Sequence, residues 1–230
     1  MELTLLTKPL KGRGSGPEGG PSSSERLVAS LLPLVHEAGN PYYDWFFGNA
    51  VRARAALERW MNRDSSEISV TRFVIVVDGD HTVGGMVAIA GAELADCRRS
   101  DALVAIKEAG SERASLLARV RASKDLFAPV GTDELYLSKI AVARDERRRG
   151  MGSLLMRELL VDARSRGFER LRLDVSADNE PAISLYRAFG FELQETRHSD
   201  AAAMTYLSMT TQVARPAGAL GTKGGVEETG

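Results

Sequence analysis

The stretch Leu135-Tyr-Leu-Ser-Lys-Ile-Ala-Val142-Ala-Arg-Asp-Glu-Arg-Arg-Arg-Gly150-Met-Gly-Ser-Leu-Leu-Met-Arg-Glu-Leu-Leu160 decides the fold. Its first eight residues are apolar or β-branched at strand density, apart from Ser138 and Lys139. Its last ten carry Leu154, Leu155 and Leu159, joined further on by Ala163, on one face of a 3.6-residue period. A strand therefore runs into an amphipathic helix over Met151–Arg166, through a loop of three arginines and two glycines. At a helix start several backbone N–H groups have no intrahelical partner, and the dipole favours an anion there. Gly150 and Gly152 carry no Cβ to block a phosphate approaching the backbone, and Arg147, Arg148 and Arg149 add forked cationic donors. The loop lacks the Lys-Ser/Thr pair of a nucleotide triphosphate loop, and Leu155 stands where a dinucleotide fingerprint needs its third glycine.

Downstream, a strand over Arg170–Val175 leads into a helix over Pro181–Phe189 with Asp178 or Asn179 in its cap region and Gly190 as its stop. Strand, helix and strand between Leu135 and Val175 imply a parallel pair with a right-handed crossover. Strands near Phe191–Glu195 and Ala202–Met209 add antiparallel neighbours. Upstream, Val70–Val77 and Thr82–Ala90 flank the turn Asp78-Gly79-Asp80 and read as a hairpin. Leu27, Leu31, Leu34 and Val35 recur at helical spacing with Ser24 as cap, and a second helix carries Val51, Ala55, Leu57 and Trp60. The aromatic run Tyr42, Tyr43, Trp45, Phe46 and Phe47 reads as a hydrophobic corner between those helices, with a substrate-facing role for one ring left open. Glu93–Ala122 reads as one or two helices broken near Gly110, either a lid over the substrate side or a cover for the sheet.

The expected organisation is a single α/β domain over residues 24–212. It is preceded over 1–23 by a short strand (Leu3–Thr7) and a flexible loop rich in Gly, Pro and Ser, and followed over 213–230 by a disordered tail. Thirty Lys+Arg against 31 Asp+Glu leave no global basic field for nucleic acid or an acidic membrane. No apolar run reaches membrane-spanning length and no signal sequence opens the chain, so a cytoplasmic protein is expected. One cysteine, Cys97, and three scattered histidines argue against a disulfide framework or a metal site.

Two motifs in order, Arg147-Arg-Arg-Gly150-Met-Gly152 and Asn179…Ala182…Tyr186…Gly190-Phe191, resemble the Gcn5-related N-acetyltransferase (GNAT) superfamily. The resemblance covers about Val70 to Met209, with an acyl-CoA core at about 134–195. It implies a mixed, mostly antiparallel central sheet with a splayed parallel strand pair and flanking helices. It also implies acetyl-CoA as cofactor, no metal, and transfer of acetyl from the thioester to an amine of a small molecule or protein. By position, backbone groups of Ile140 and Val142, with Ala141 between them, would meet the pantetheine arm, and the Ile140 amide would help stabilise the oxyanion. The amides from Arg147 to Ser153, Met151 included, would hold the pyrophosphate, and Asn179 would contact the pantetheine or the loop. Tyr186, protonated at neutral pH, would give its proton to the leaving sulfur. For the base, Glu134, Tyr136 and Ser138 alternate on one strand face; Glu134 is the carboxylate among them, with Tyr136, Asp174 or water as alternatives. Final strands of this fold often pair between subunits, which implies a homodimer. A catalytically idle acyl-CoA-binding module is the competing expectation.

Overall fold

The computed structural model describes residues 3–6 and 22–213. Of the expected flexible loop, Lys11–Ser24, residues 11–21 lie outside the described residues, and its last three are instead the cap and first turn of a helix; the expected tail from Ala214 also lies outside the described residues. Seven strands form one sheet in the order β1-β2-β3-β4-β5-β7-β6, with β1 Leu3–Leu6, β2 Phe73–Asp78, β3 His81–Ala90, β4 Glu134–Val142, β5 Arg170–Ser176, β6 Glu192–Ser199 and β7 Met204–Gln212. Every neighbouring pair is antiparallel except β4 with β5. The parallel pair exists because helix α6, Met151–Ser165, carries the chain back across the sheet between the two strands.

Helices α1 (Ser23–Ala38), α2 (Tyr42–Phe47) and α3 (Ala50–Met61) enclose one core, in which Leu31, Val35, Leu57 and Met61 are fully buried with Phe73, Ile75 and Val87 of the sheet. The second core lies between the sheet and helices α6 and α7 (Glu180–Ala188), where Leu155, Met156, Leu159 and Ala163 meet Leu135, Leu171 and Leu173. The segment between β3 and β4 holds α4 (Gly91–Glu108) and α5 (Arg113–Ala122), broken at a 3-10 turn over Gly110–Glu112 as the sequence suggests.

Several boundaries differ from the sequence reading. Helix α1 is capped by Ser22 rather than Ser24: the Ser22 hydroxyl accepts from the Glu25 amide at 3.2 Å while the Glu25 carboxylate accepts from the Ser22 amide at 2.6 Å. On α3 the inward face is Ala53, Ala56, Leu57 and Met61, and Val51 is exposed; the small alanines let the helix close on its neighbours, and the larger Val51 misleads a count of apolar residues. Strand β2 begins only at Phe73, because Val70–Arg72 form a 3-10 turn capped by the Ser69 hydroxyl. Strands β6 and β7 run further than their apolar residues indicate, since polar residues fill the exposed positions of the last hairpin.

Burial along α6 makes a sharp contrast between neighbours. Leu159→Ala, at a fully buried position, should cost about 2–5 kcal/mol of unfolding free energy. Val161→Ala, on the exposed side of the same helix, should stay within about 0.5 kcal/mol of the parent. Urea denaturation of both variants measures the difference.

Candidate active site

Strands β4 and β5 pair at three positions, Glu134 with Arg170, Leu135 with Leu171 and Tyr136 with Arg172, and then separate. Beyond that point β4 keeps only β3 and β5 keeps only β7, so the two facing edges open into a V. Strand geometry fixes what β4 shows there. The Ala143 amide donates to Val83 O on β3 at 2.9 Å, and backbone groups alternate sides along a strand, so Ala141 also faces β3 while Ile140 and Val142 turn toward the V. Consistent with this, Val142 O accepts from Arg147 Nε at 3.1 Å.

At the mouth of the V the chain enters α6. Gly150 sits at φ +84 as the N-terminal cap, a conformation that favours glycine, and a Cβ there would meet open space. No side chain caps the helix, and the first amide bonded back along it is that of Leu154, to Gly150 O at 2.9 Å. The amides of Met151, Gly152 and Ser153 therefore face outward at the positive end of the dipole. Gly152 serves a different need from the one its motif suggests: a Cβ there would come 3.1 Å from Leu185 of α7, so its smallness lets the two helices approach. Arg147 and Arg144 both bind the Glu37 carboxylate of α1, at 2.7 and 2.9 Å, and Arg149 binds Glu146 at 2.8 Å. Arg148 adopts a positive φ of 62 and lines the cleft.

One continuous cleft of about 1550 Å³ joins the V, the helix start and a second chamber roofed by α4 and α5. Of the residues singled out from the sequence, Ile140, Ala141, Val142, Arg147, Arg148, Gly150, Gly152, Ser153, Asn179 and Tyr186 line it. The Met151 side chain is instead buried in the core, and Arg149 lies outside the lining. Asn179 caps α7, accepting from the Ala182 amide at 3.3 Å. Tyr186 is buried against Phe191, ring centroids 5.9 Å apart, and its hydroxyl has no hydrogen-bond partner among the described residues. Burial raises its pKa well above the usual tyrosine value.

The expectation that Glu134 points into this cleft is corrected by the structure. Its carboxylate is buried at the closed end of the β4/β5 pair, where it accepts from the Gly131 amide at 2.7 Å and pairs with Arg170 and Arg172 at 3.5 and 3.6 Å. The alternation that groups Glu134, Tyr136 and Ser138 holds, and Tyr136 and Ser138 line the cleft, while Glu134 lies too near the closed end of the strand pair to reach it. A β-bulge then changes the phase, because Val87 pairs with Lys139 while Ala88 pairs with Leu137: Ser138 and Lys139 both turn to the cleft, and Leu137 and Ile140 both pack toward α6.

The charged groups of the second chamber were not found from the sequence. Glu67, in the loop before β2, accepts from Ser138 Oγ at 2.5 Å and from Arg98 Nε of α4 at 3.0 Å. Arg98 also lies over the rings of Tyr136 and Phe127, 4.9 and 5.6 Å from their centroids. Burial by itself would raise the Glu67 carboxyl, but the charges of Arg98 and Lys139 and the hydrogen bonds from Arg98 and Ser138 hold it down at about 2. Asp174 Oδ2 accepts from the Tyr136 hydroxyl at 3.0 Å, and Oδ1 is buried, with Ser208 as the cross-strand neighbour on β7. Burial raises the Asp174 pKa against the opposing pull of the Tyr136 and Ser208 hydroxyls and of the Arg98 charge. The one available signal was Lys139, a charge inside an otherwise apolar strand; nothing local marked Glu67. Of the aromatic run, Tyr42, Tyr43 and Phe46 reach the cleft, while Trp45 donates to Ala201 O at 3.2 Å and Phe47 packs on Trp60.

A family model described as "Acetyltransferase (GNAT) family" matches residues 42–191. The [ribosomal protein bS18]-alanine N-acetyltransferase of Salmonella typhimurium is 44% identical over 59 residues, 26% of this chain and 40% of that protein. Mycothiol acetyltransferase of Saccharomonospora viridis is 43% identical over 68 residues, 30% of this chain and 21% of that protein. The chain thus spans well under half the length of these curated relatives. Among solved structures, an N-acetyltransferase from Staphylococcus aureus Mu50 superposes with a TM-score of 0.62 at 16% identity, over 81% of this chain and 96% of that one. An N-acetyltransferase (paia) from Thermoplasma acidophilum in complex with coenzyme A gives 0.52 at 11% identity, over 92% and 99%. Both share the fold.

The depressed Glu67 pKa has a definite sign. Its stabilising contribution is present above the ordinary carboxyl value of 4.5 and is lost as pH falls toward about 2. Urea midpoints followed across that window should fall more steeply for the parent than for Glu67→Gln, which has no carboxyl to protonate.

Proposed function

This chain belongs to the GNAT acetyltransferase family, and from that premise we propose that it transfers an acetyl group from acetyl-CoA to an amine by direct attack in a ternary complex. The observation that carries the proposal is the continuity of two features in one cleft: an unpaired strand edge suited to an extended amide-bearing arm, and an uncapped helix start suited to a pyrophosphate. The cofactor, when bound, supplies the activated acyl thioester.

The protein's own groups fit the remaining tasks. The Ile140 and Val142 backbone would receive the pantetheine amides, with Val142 O shared with Arg147. The amides of Met151, Gly152 and Ser153 would take the diphosphate, and Arg148 would add charge beside them. Asn179 retains its side-chain N–H groups for the same ligand, since its carbonyl is spent on the cap. Tyr186 holds its proton firmly and has no internal partner for it, which suits a donor to the leaving sulfur. With Glu134 engaged elsewhere, Asp174 is the carboxyl that lines the cleft between the two strands, and its raised pKa suits a proton acceptor. The proposal takes the protein as cytoplasmic, in keeping with its free Cys97. It assigns the outer edge of β6, the terminal strand of the sheet, to a homodimer contact.

Incubation with acetyl-CoA and a panel of amines, with free thiol followed, tests the function. Thermal stabilisation by CoA without thiol release from any amine would assign an idle acyl-CoA-binding module instead. In an active enzyme Tyr186→Phe should lower kcat by about 10²- to 10⁴-fold and leave stabilisation by CoA intact.

A further inference from the structure

The cleft is larger than one ligand needs. Pockets for a single small molecule run to about 300–1,000 Å³, against about 1550 Å³ here. The space not assigned to the donor is the chamber beneath α4 and α5, walled by Ile106, Val120 and Phe127 and by Tyr42 and Phe46 of α2. Two helices over its top leave room for a compact acceptor rather than a folded protein surface.

The charges facing this chamber are accounted for one by one. Glu67 is neutralised by Arg98, whose guanidinium is spent on that carboxylate and on the flanking rings. Asp101 of α4 pairs with Arg63 at 3.1 Å and accepts from the Ser66 hydroxyl and the Glu67 amide. Asp174 accepts from the Tyr136 hydroxyl, and its second oxygen is buried. Arg99 pairs with Asp96 and Arg197 with Glu195, which leaves Lys139 and the exposed Lys124 as cations of this chamber without an ion pair among the described residues. Among the described residues Lys139 Nζ donates one hydrogen bond, to Ser138 O at 2.9 Å, and lies 5.4 Å from the Tyr43 ring centroid, with no ion pair. An ammonium has three N–H donors, so two remain. Burial lowers the Lys139 pKa against the fields of Glu67 and Asp174, and a further anion brought to Nζ would offset that cost.

Resting on the acetyl-transfer reading, we propose that the acceptor is a small amine bearing its own carboxylate and an apolar or aromatic side chain, an amino-acid-like zwitterion. Lys139 receives its carboxylate, the Asp174 carboxylate that lines the cleft receives its amino group, and the aromatic walls receive its side chain. The two ends of the acceptor are opposite in charge, and so are the two groups that meet them. The step balances: Asp174 takes the proton that frees the amine lone pair, the new N–C bond forms as the C–S bond breaks, the Tyr186 proton goes to sulfur, and the second proton shed by nitrogen as the amide forms restores Tyr186, while Asp174 releases its proton to solvent. Lys139 takes no part in the proton transfers and sets which amines bind. A polycationic amine would meet Lys139 and Arg98 with like charge.

Matched pairs differing only in the carboxylate test this: L-phenylalanine against 2-phenylethylamine, and L-leucine against 3-methylbutylamine. Two readouts are taken, thiol release at saturating acetyl-CoA and thermal stabilisation of the CoA-bound protein. The acids should show kcat/KM about tenfold or more above their partners. Lys139→Met should erase that ratio through KM while CoA still stabilises the variant, and Lys139→Arg should retain part of it. Equal or better use of the carboxylate-free amines, or a ratio that survives Lys139→Met, overturns the proposal. If acetyl-CoA binds but no amine releases thiol, the acetyl-transfer reading fails. The stabilisation readout then decides the Lys139 site by itself: L-phenylalanine above 2-phenylethylamine, lost in Lys139→Met, upholds it, and no difference removes it.

Discussion

Two neighbouring strands that pair at Glu134–Arg170, Leu135–Leu171 and Tyr136–Arg172 and then part impose a backbone debt on the molecule. Buried N–H and C=O groups need partners, and a sheet that opens in its middle withdraws them from both lips of the gap. The structure tolerates this because each lip is held from behind. Strand β3 pairs along β4 as far as Val142, and β7 pairs along the whole of β5. The gap is thereby a fixed feature of a rigid sheet, and α6 and α7 are brought to its rim by the strands that lead into them. The polar groups left over along the gap are the ones the proposed function assigns to the acyl donor.

Arginine placement at the rim follows a similar logic. Arg144, Arg147, Arg148 and Arg149 would repel one another if left in a row, yet Glu37 from a distant helix takes two of them and Glu146 a third. The remaining field is directed rather than diffuse. Its focus is the start of α6, where the backbone amides already point.

The half of the cleft proposed for the donor was legible in the sequence because its requirements are local. A positive φ demands Gly150, a helix that packs on a sheet demands the leucine period of α6, and a capped helix start demands Asn179 before Pro181. The acceptor half was opaque for the opposite reason. Glu67 meets Arg98 across 31 positions and Ser138 across 71, contacts that no local pattern announces. The bulge at Ser138 compounded this by turning Lys139 to the same side as Ser138, which strict alternation does not foresee, and Glu134 shares the strand face but lies at the closed end of the pair. On α3 the error had a simpler source: alanines pack where larger apolar residues were expected.

The support of β5 by β7 also has a consequence for the order in which the molecule can be made. On its other side β5 has only three pairs, so most of its partners lie in Met204–Gln212, the last strand described. During synthesis the phosphate loop and α6 emerge well before the strand that holds the far lip of the cleft in place. Pairing β5 with β7 also requires the β6 hairpin to fold back past it, a long-range closure of the kind that slows folding. A nascent chain can hold the turn at Gly150 and still lack a cleft, and the far lip of that cleft arrives only when the chain beyond Met204 has docked.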